Sequence, residues 1–295
     1  MEGSRGLGDV YKRQGIIGVG LMGGSFALDF RSIYKDSKIY GFDVDIKNFQ
    51  YSIDNKIVDE LLSETNCKDL DFLIVSVPVH IIPDVVKKYL DFVGPNTLVI
   101  DVGSTKNSIC NALNNHPKRD QFLASHPIAG TENSGPKSAI KGLYTNSINI
   151  VCESDKTRSE LLERALKLFK KLRMKIINMD PLEHDKNIAY VSHLSHISSF
   201  MLAKTVLEKK LVRKNIFDLA GSGFESTVRL AKSSPETWGS IFNDNKSNLV
   251  EALNEYIDNL NYIKSLIEKS QSDLLFDELS KINLIRKVLS GIKIK

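Results

Sequence analysis

Between residues 18 and 23 the chain reads Gly18-Val19-Gly20-Leu21-Met22-Gly23, directly after a short apolar run and directly before a helical stretch at residues 24–30. A GxGxxG segment in that position permits few folds. The first glycine allows a tight turn, the second lets backbone approach a pyrophosphate, and the third lets helix pack closely on strand. Helix N-terminal amides then receive phosphate charge. A second apolar run, residues 38–42, ends at Asp43, about 20 residues past Gly23, where a carboxylate can accept both ribose hydroxyls and repels an added 2′-phosphate. Ser76, Val77 and Pro78 close a third run and face the same edge of the expected sheet. These residues form the candidate cofactor site, with NAD expected over NADP. A solvated strand-end Asp43, or a role shared with Asp45, is the alternative.

From residue 15 onward, apolar runs alternate with amphipathic stretches, as in βαβ units. Strands are expected at residues 15–19, 38–42, 72–77, 97–102, 121–124, 147–151 and 175–178. This pattern predicts an α/β fold, a doubly wound, mostly parallel Rossmann-like sheet, followed by an all-α C-terminal domain. Past Asp180-Pro181 the alternation stops, so the expected domains are 15–179 and 180–295. Helices are expected through residues 183–207, around 225–232, and as one long run over 237–268. In the long run Leu249, Leu253, Tyr256, Leu260, Ile263 and Ile267 mark one apolar stripe, suited to the domain core or to a dimer interface. Residues 1–14 are rich in glycine and charge and supply no apolar run, so they read as a leader that is not native sequence.

Composition narrows the function. Forty basic and 36 acidic residues are mixed along the 295-residue chain, for a net charge of +4, without a basic block to track a phosphate backbone. No nucleic acid partner is expected. No apolar run approaches the roughly 20 residues that span a bilayer, and no secretory apolar core opens the chain, so the expectation is a cytoplasmic protein with no membrane partner. Cys67, Cys110 and Cys152 are odd in number and lack metal-ligand spacing, which reads as reduced thiols.

Two further loops fall at the carboxyl edge of the expected sheet: Asp101-Val102-Gly103-Ser104-Thr105-Lys106 and Ser125-His126-Pro127-Ile128-Ala129-Gly130-Thr131-Glu132. A neutral imidazole beside a nicotinamide can take the proton of an alcohol while the cofactor takes hydride. His126 is therefore the candidate base. Ser104 alone reads more readily as a helix N-cap than as a functional group. Ser192-His193-Leu194-Ser195-His196 puts two histidines at i and i+3 on a helix, but without a third ligand of suitable spacing, so no metal is expected.

With these segments in place, the chain resembles the prephenate and arogenate dehydrogenase family of tyrosine biosynthesis, through HPIAGTENSGP from His126, DVGSTK from Asp101 and RLAKSSPETW from Arg229. The resemblance implies an NAD-dependent oxidative decarboxylation of prephenate to 4-hydroxyphenylpyruvate, or of arogenate to tyrosine. It implies that His126 accepts the proton of the ring hydroxyl, that Ser104 orients that hydroxyl, and that Arg229 grips a substrate carboxylate. His196, Thr131 and Glu132 become substrate-side residues, Glu132 as part of an ionic gate, with Trp238 near the pocket. The family commonly carries proline where this chain has Ser195 and an acidic residue where it has Ser226, which alters the expected gate. A homodimer through the helical domain is expected. The competing readings are another two-domain β-hydroxyacid dehydrogenase, in which the His126 segment has no counterpart, and a non-catalytic NAD-binding regulatory protein, which need not retain His126, Ser104 and Arg229 together.

Overall fold

A computed structural model describes residues 12–209 and 215–291. Two compact units divide the chain, one up to residue 246 and one from residue 247 onward.

The first unit is built on a sheet that, among the described residues, has eight strands in the order β3-β2-β1-β4-β5-β6-β7-β8. They are β1 (Arg13–Ile17), β2 (Lys38–Phe42), β3 (Glu60–Leu61), β4 (Phe72–Val75), β5 (Leu98–Asp101), β6 (Phe122–Ile128), β7 (Ile148–Cys152) and β8 (Lys175–Asn178). All pairs are parallel except β6 with β7. The seven expected strands are present, and β3 is additional: two exposed residues with too little apolar signal to be read. The helices are α1 (Leu21–Ile33), α2 (Ile46–Asp54), α3 (Glu64–Cys67), α4 (Ile82–Phe92), α5 (Asn107–Leu113), α6 (Ser159–Lys171), α7 (Pro181–Ile188), α8 (Leu194–Lys209), α9 (Ser222–Val228) and α10 (Pro235–Asp244).

Strands buried on both faces explain the unbroken apolar runs. Ile16, Phe72, Ile74, Leu98 and Ile100 pack with Phe26, Phe30, Leu168 and Phe169 of α1 and α6 on one face. Ile17, Leu73, Val75 and Val99 pack with Val86, Leu90, Ile109 and Leu113 of α4 and α5 on the other. Strand order reverses between β1 and β4, and it is outside the carboxyl ends of strands at such a reversal that a crevice opens.

Two sequence expectations change. Residues 1–11 of the expected leader lie outside the described residues, but Arg13 and Gln14 belong to β1, pairing with Lys38 and Ile39, so the strand starts before Gly15. The long helix expected over 237–268 is broken at Asn245, whose buried side-chain amide donates to the Asp185 carbonyl at 2.7 Å and meets His193 Nδ1 at 3.2 Å. Residues beyond 180 also meet this unit: Asp185 accepts the Lys106 and Asn107 amides, Asp244 accepts the Ser108 hydroxyl, and Ile241 packs into the core.

The second unit holds most of α11 (Lys246–Glu268), with α12 (Ser272–Ile282) and α13 (Ile285–Gly291). Of the expected stripe, Leu249 is buried, whereas Leu260 and Ile267 are 51% and 60% exposed.

Candidate active site

The glycine loop leaves β1 and enters α1 with Gly18 at φ +86°. A Cβ there would lie 2.4 Å from the Ser76 carbonyl, and one on Gly23 would lie 2.1 Å from the Gly18 carbonyl. Gly20 differs: an added Cβ would meet no protein atom within 4 Å, because it would project into the crevice. Asp43 ends β2 and accepts the Val19 amide on Oδ2 and the Asp45 amide on Oδ1, both at 2.9 Å. Each oxygen keeps a lone pair for a ribose hydroxyl. Asp45 instead caps α2, accepting the Lys47 amide at 2.8 Å, so its carboxylate is already engaged. Ser76 spends its hydroxyl on the loop itself, donating to the Gly18 carbonyl at 2.6 Å.

Two adjoining hollows share Gly20, Ser76, Val77, Pro78, Gly135 and Thr237. One, of about 570 Å³, is lined by Gly18, Phe42, Asp43, Val44 and Asn48. The other, of about 290 Å³, is lined by Leu21, Met22, Gly103, Ser104, His126, Thr131 and Trp238. A polar strand-end carboxylate at one end, an open glycine backbone in the middle and an imidazole at the other end fit a dinucleotide.

His126 sits on β6 because that strand leaves β5 after Leu123 and continues only along β7, so Pro127 falls where no β5 ladder bond is lost. The freed Ser125 amide donates to Asp101 Oδ1 at 3.1 Å. Asp101 also pairs with Lys106 Nζ, and that ammonium donates to the Ser125 carbonyl at 2.8 Å; both side chains are fully buried. The buried pair therefore clamps the DVGSTK loop to the histidine strand.

The ring of His126 is 9% exposed, with Nδ1 at 2.8 Å from His184 Nε2, and His184 Nδ1 lies 2.7 Å from Asp185 Oδ1. Burial, reinforced by His184, Lys106 and His193, pushes the His126 imidazole well below its ordinary value of 6.5. It is a neutral ring at neutral pH, able to accept a proton.

Ser104 lines the cleft and does not cap α5. The first helix amides, of Lys106 and Asn107, donate to Asp185 at 2.7 and 2.9 Å instead. Thr131 also lines the cleft. Glu132, Arg229 and His196 sit beside that lining. Arg229 Nη1 donates to Glu132 Oε2 at 2.8 Å, while Ser226 turns its hydroxyl to the Gly223 carbonyl of its own helix. His196 stacks on Trp238, ring centroids 3.4 Å apart, and so reaches the cleft through that indole. His193 is fully buried beside Asn245, its imidazole lowered by burial to about 4, and does not share a face-to-face site with His196.

Lys106, His184 and Asp185 are site residues the sequence reading passes over. His184-Asp185 lies within α7, which starts at Pro181, and a histidine beside an acid is the only local signal that pair carries.

Known proteins match the chain along nearly its whole length. Residues 26–178 match the family model for the prephenate dehydrogenase nucleotide-binding domain, and residues 180–281 match that for the prephenate dehydrogenase dimerization domain. A prephenate dehydrogenase of Bacillus subtilis is 26% identical over 268 residues, covering 88% of this chain and 71% of the relative. The crystal structure of Aquifex aeolicus prephenate dehydrogenase in complex with hydroxyphenyl propionate and NAD+ superposes with a TM-score of 0.85 at 31% identity, covering 94% of this chain and 98% of that one. Synechocystis arogenate dehydrogenase superposes with a TM-score of 0.75 at 25% identity, covering 94% and 99%. The chain belongs to the prephenate dehydrogenase family of NAD-dependent oxidoreductases.

Proposed function

We propose that this protein converts prephenate to 4-hydroxyphenylpyruvate, with His126 as the proton acceptor. The observation that carries this reading is a buried, neutral imidazole on the wall of a cleft continuous with the Gly20 and Asp43 dinucleotide site. NAD, when bound, supplies the hydride acceptor. His126 takes the proton of the ring 4-hydroxyl as the carbon bearing it loses hydride. The bond to the ring carboxylate then breaks, releasing carbon dioxide, and its electron pair completes the aromatic ring as a phenolate, to which His126 returns the proton. Ser104, on the same wall, orients the hydroxyl. Arg229 grips a substrate carboxylate, a task for a planar guanidinium that can donate two parallel bonds, with Glu132 as its partner when substrate is absent. Thr131 and His196 complete the substrate side.

In this reading residues 15–179 form the NAD-binding domain, and residues 180–295 form a substrate and dimerisation domain. The matched dimerization domain supports a homodimer, as do the exposed Leu260, Ile267, Phe276 and Ile282 of the second unit. Among the described residues no helix is long and apolar enough to cross a membrane. The free, buried Cys67, Cys110 and Cys152 suit the cytoplasm.

Arogenate is the second reading, favoured by the likeness to the Synechocystis enzyme. The test supplies purified protein with NAD and either substrate, follows reduced cofactor and identifies the product by mass. Preferred formation of 4-hydroxyphenylpyruvate from prephenate is expected; tyrosine from arogenate alone supports the second reading, and turnover of neither removes both. Arg229→Lys should raise KM for the substrate far more than KM for NAD.

A further inference from the structure

The base candidate is the end of a chain of three groups. Asp185 is fixed first: its two oxygens accept the Lys106 and Asn107 amides, and its carbonyl accepts the Asn245 side chain. A carboxylate so held meets His184 Nδ1, at 2.7 Å, as an acceptor, so the hydrogen of that contact lies on His184 Nδ1. His184 Nε2 is then a lone pair. Its 2.8 Å contact with His126 Nδ1 needs a hydrogen, and His126 must provide it. The ring centroids lie 5.1 Å apart with the planes at 72°, a separation that an edge-on contact between two ring nitrogens gives. Nδ1 of His126 is thereby committed, and Nε2 is left as the one nitrogen free to receive a proton.

We infer that His184, oriented by Asp185, is a positioning residue that holds His126 in its Nδ1-protonated tautomer and so presents Nε2 as the base. The inference rests on the proposed role of His126. His184 is itself almost wholly buried and does not line the cleft, so it acts through His126 and not on the substrate. The logic matches the general rule that the bond made by one ring nitrogen decides what the other can do.

Two readouts separate this inference from the function it rests on. The first is independent of turnover: nitrogen NMR of the full chain labelled in histidine, with His126 signals identified by their loss in His126→Asn. The wild-type protein should show His126 protonated at Nδ1 and bare at Nε2. A wild-type His126 protonated at Nε2 overturns the inference, whether or not prephenate is turned over. The second uses two variants. His184→Gln retains an amide oxygen that can accept the Nδ1 hydrogen and should keep the tautomer. His184→Phe cannot accept and should lose it, with kcat falling by about 10- to 100-fold and KM for prephenate and affinity for NAD nearly unchanged. Equal kcat and an unchanged His126 tautomer in a folded His184→Phe protein would overturn the positioning role. Should His184→Phe fail to fold, the wild-type tautomer and the His184→Gln comparison still decide, since Gln retention of tautomer and activity supports the inference and loss of both contradicts it.

Discussion

Gln14 lies inside β1 with its side chain fully buried and neither amide atom hydrogen-bonded to any described residue. A buried, unpartnered amide costs about 1–3 kcal/mol, whereas an apolar group of like volume costs nothing of that kind. Gln14→Leu is therefore expected to raise Tm, by about 2–4 °C for each kcal/mol recovered in a chain of this size; thermal denaturation checks it, and an unchanged or lower Tm contradicts it. At this scale the sequence was legible where function is written in consecutive backbone. Gly18, Gly20 and Gly23 declare themselves by spacing, and Asp43 by its distance from them. His184, Asp185 and Lys106 were not legible in the same way. The Asp185 carboxylate serves amides 79 and 78 positions away, and His184 meets a ring 58 positions away. No local pattern encodes such pairings. Ser104 shows the converse: its local pattern suggests a cap, but Asp185 arrives from another element and takes that task.

Among the elements, the glycine loop separates the glycines its own fold requires from the one that the proposed NAD site requires. Gly18 and Gly23 are required by the protein's own backbone, whereas Gly20, with φ −81° and open space where a Cβ would stand, is not. Gly20→Ala should accordingly leave Tm unchanged while weakening NAD binding at least about tenfold, as a methyl group intrudes on the pyrophosphate path. Calorimetric titration with NAD beside thermal denaturation measures both; unchanged affinity would mean that the dinucleotide does not pass this loop. Strand periodicity was legible because both sheet faces are covered, leaving apolar runs that end near the true boundaries. The break at Asn245 was hidden for the opposite reason. The apolar spacing runs straight through it, and only the buried amide, bonded to Asp185 and beside His193, shows why α10 stops at Asp244.

Across the whole molecule, buried imidazoles tie stability to pH. His126 and His193 are both lowered by burial, His193 to about 4. The folded protein resists protonating them, while the unfolded chain takes up protons near 6.5. Their contribution is intact above that value and is lost as pH falls through the window between it and the folded values, by about 1 kcal/mol per pH unit for each histidine. Tm should drop between about pH 7 and pH 5, before carboxylates near their ordinary range begin to matter; a flat profile over that interval would mean these rings are not buried in the neutral form. The proposed chemistry needs the same neutrality, since only an unprotonated His126 can take up the substrate's proton.

That claim is tested most directly by following NADH formation from prephenate with the wild-type protein and with His126→Asn, after showing that the two bind NAD alike. Removal of a positioned base typically costs about 10²–10⁴ in rate. The expected result is robust wild-type turnover and a kcat reduced by that order in the variant, with NAD affinity preserved. Near-normal turnover by His126→Asn would contradict the account, because the proton would then leave by another group.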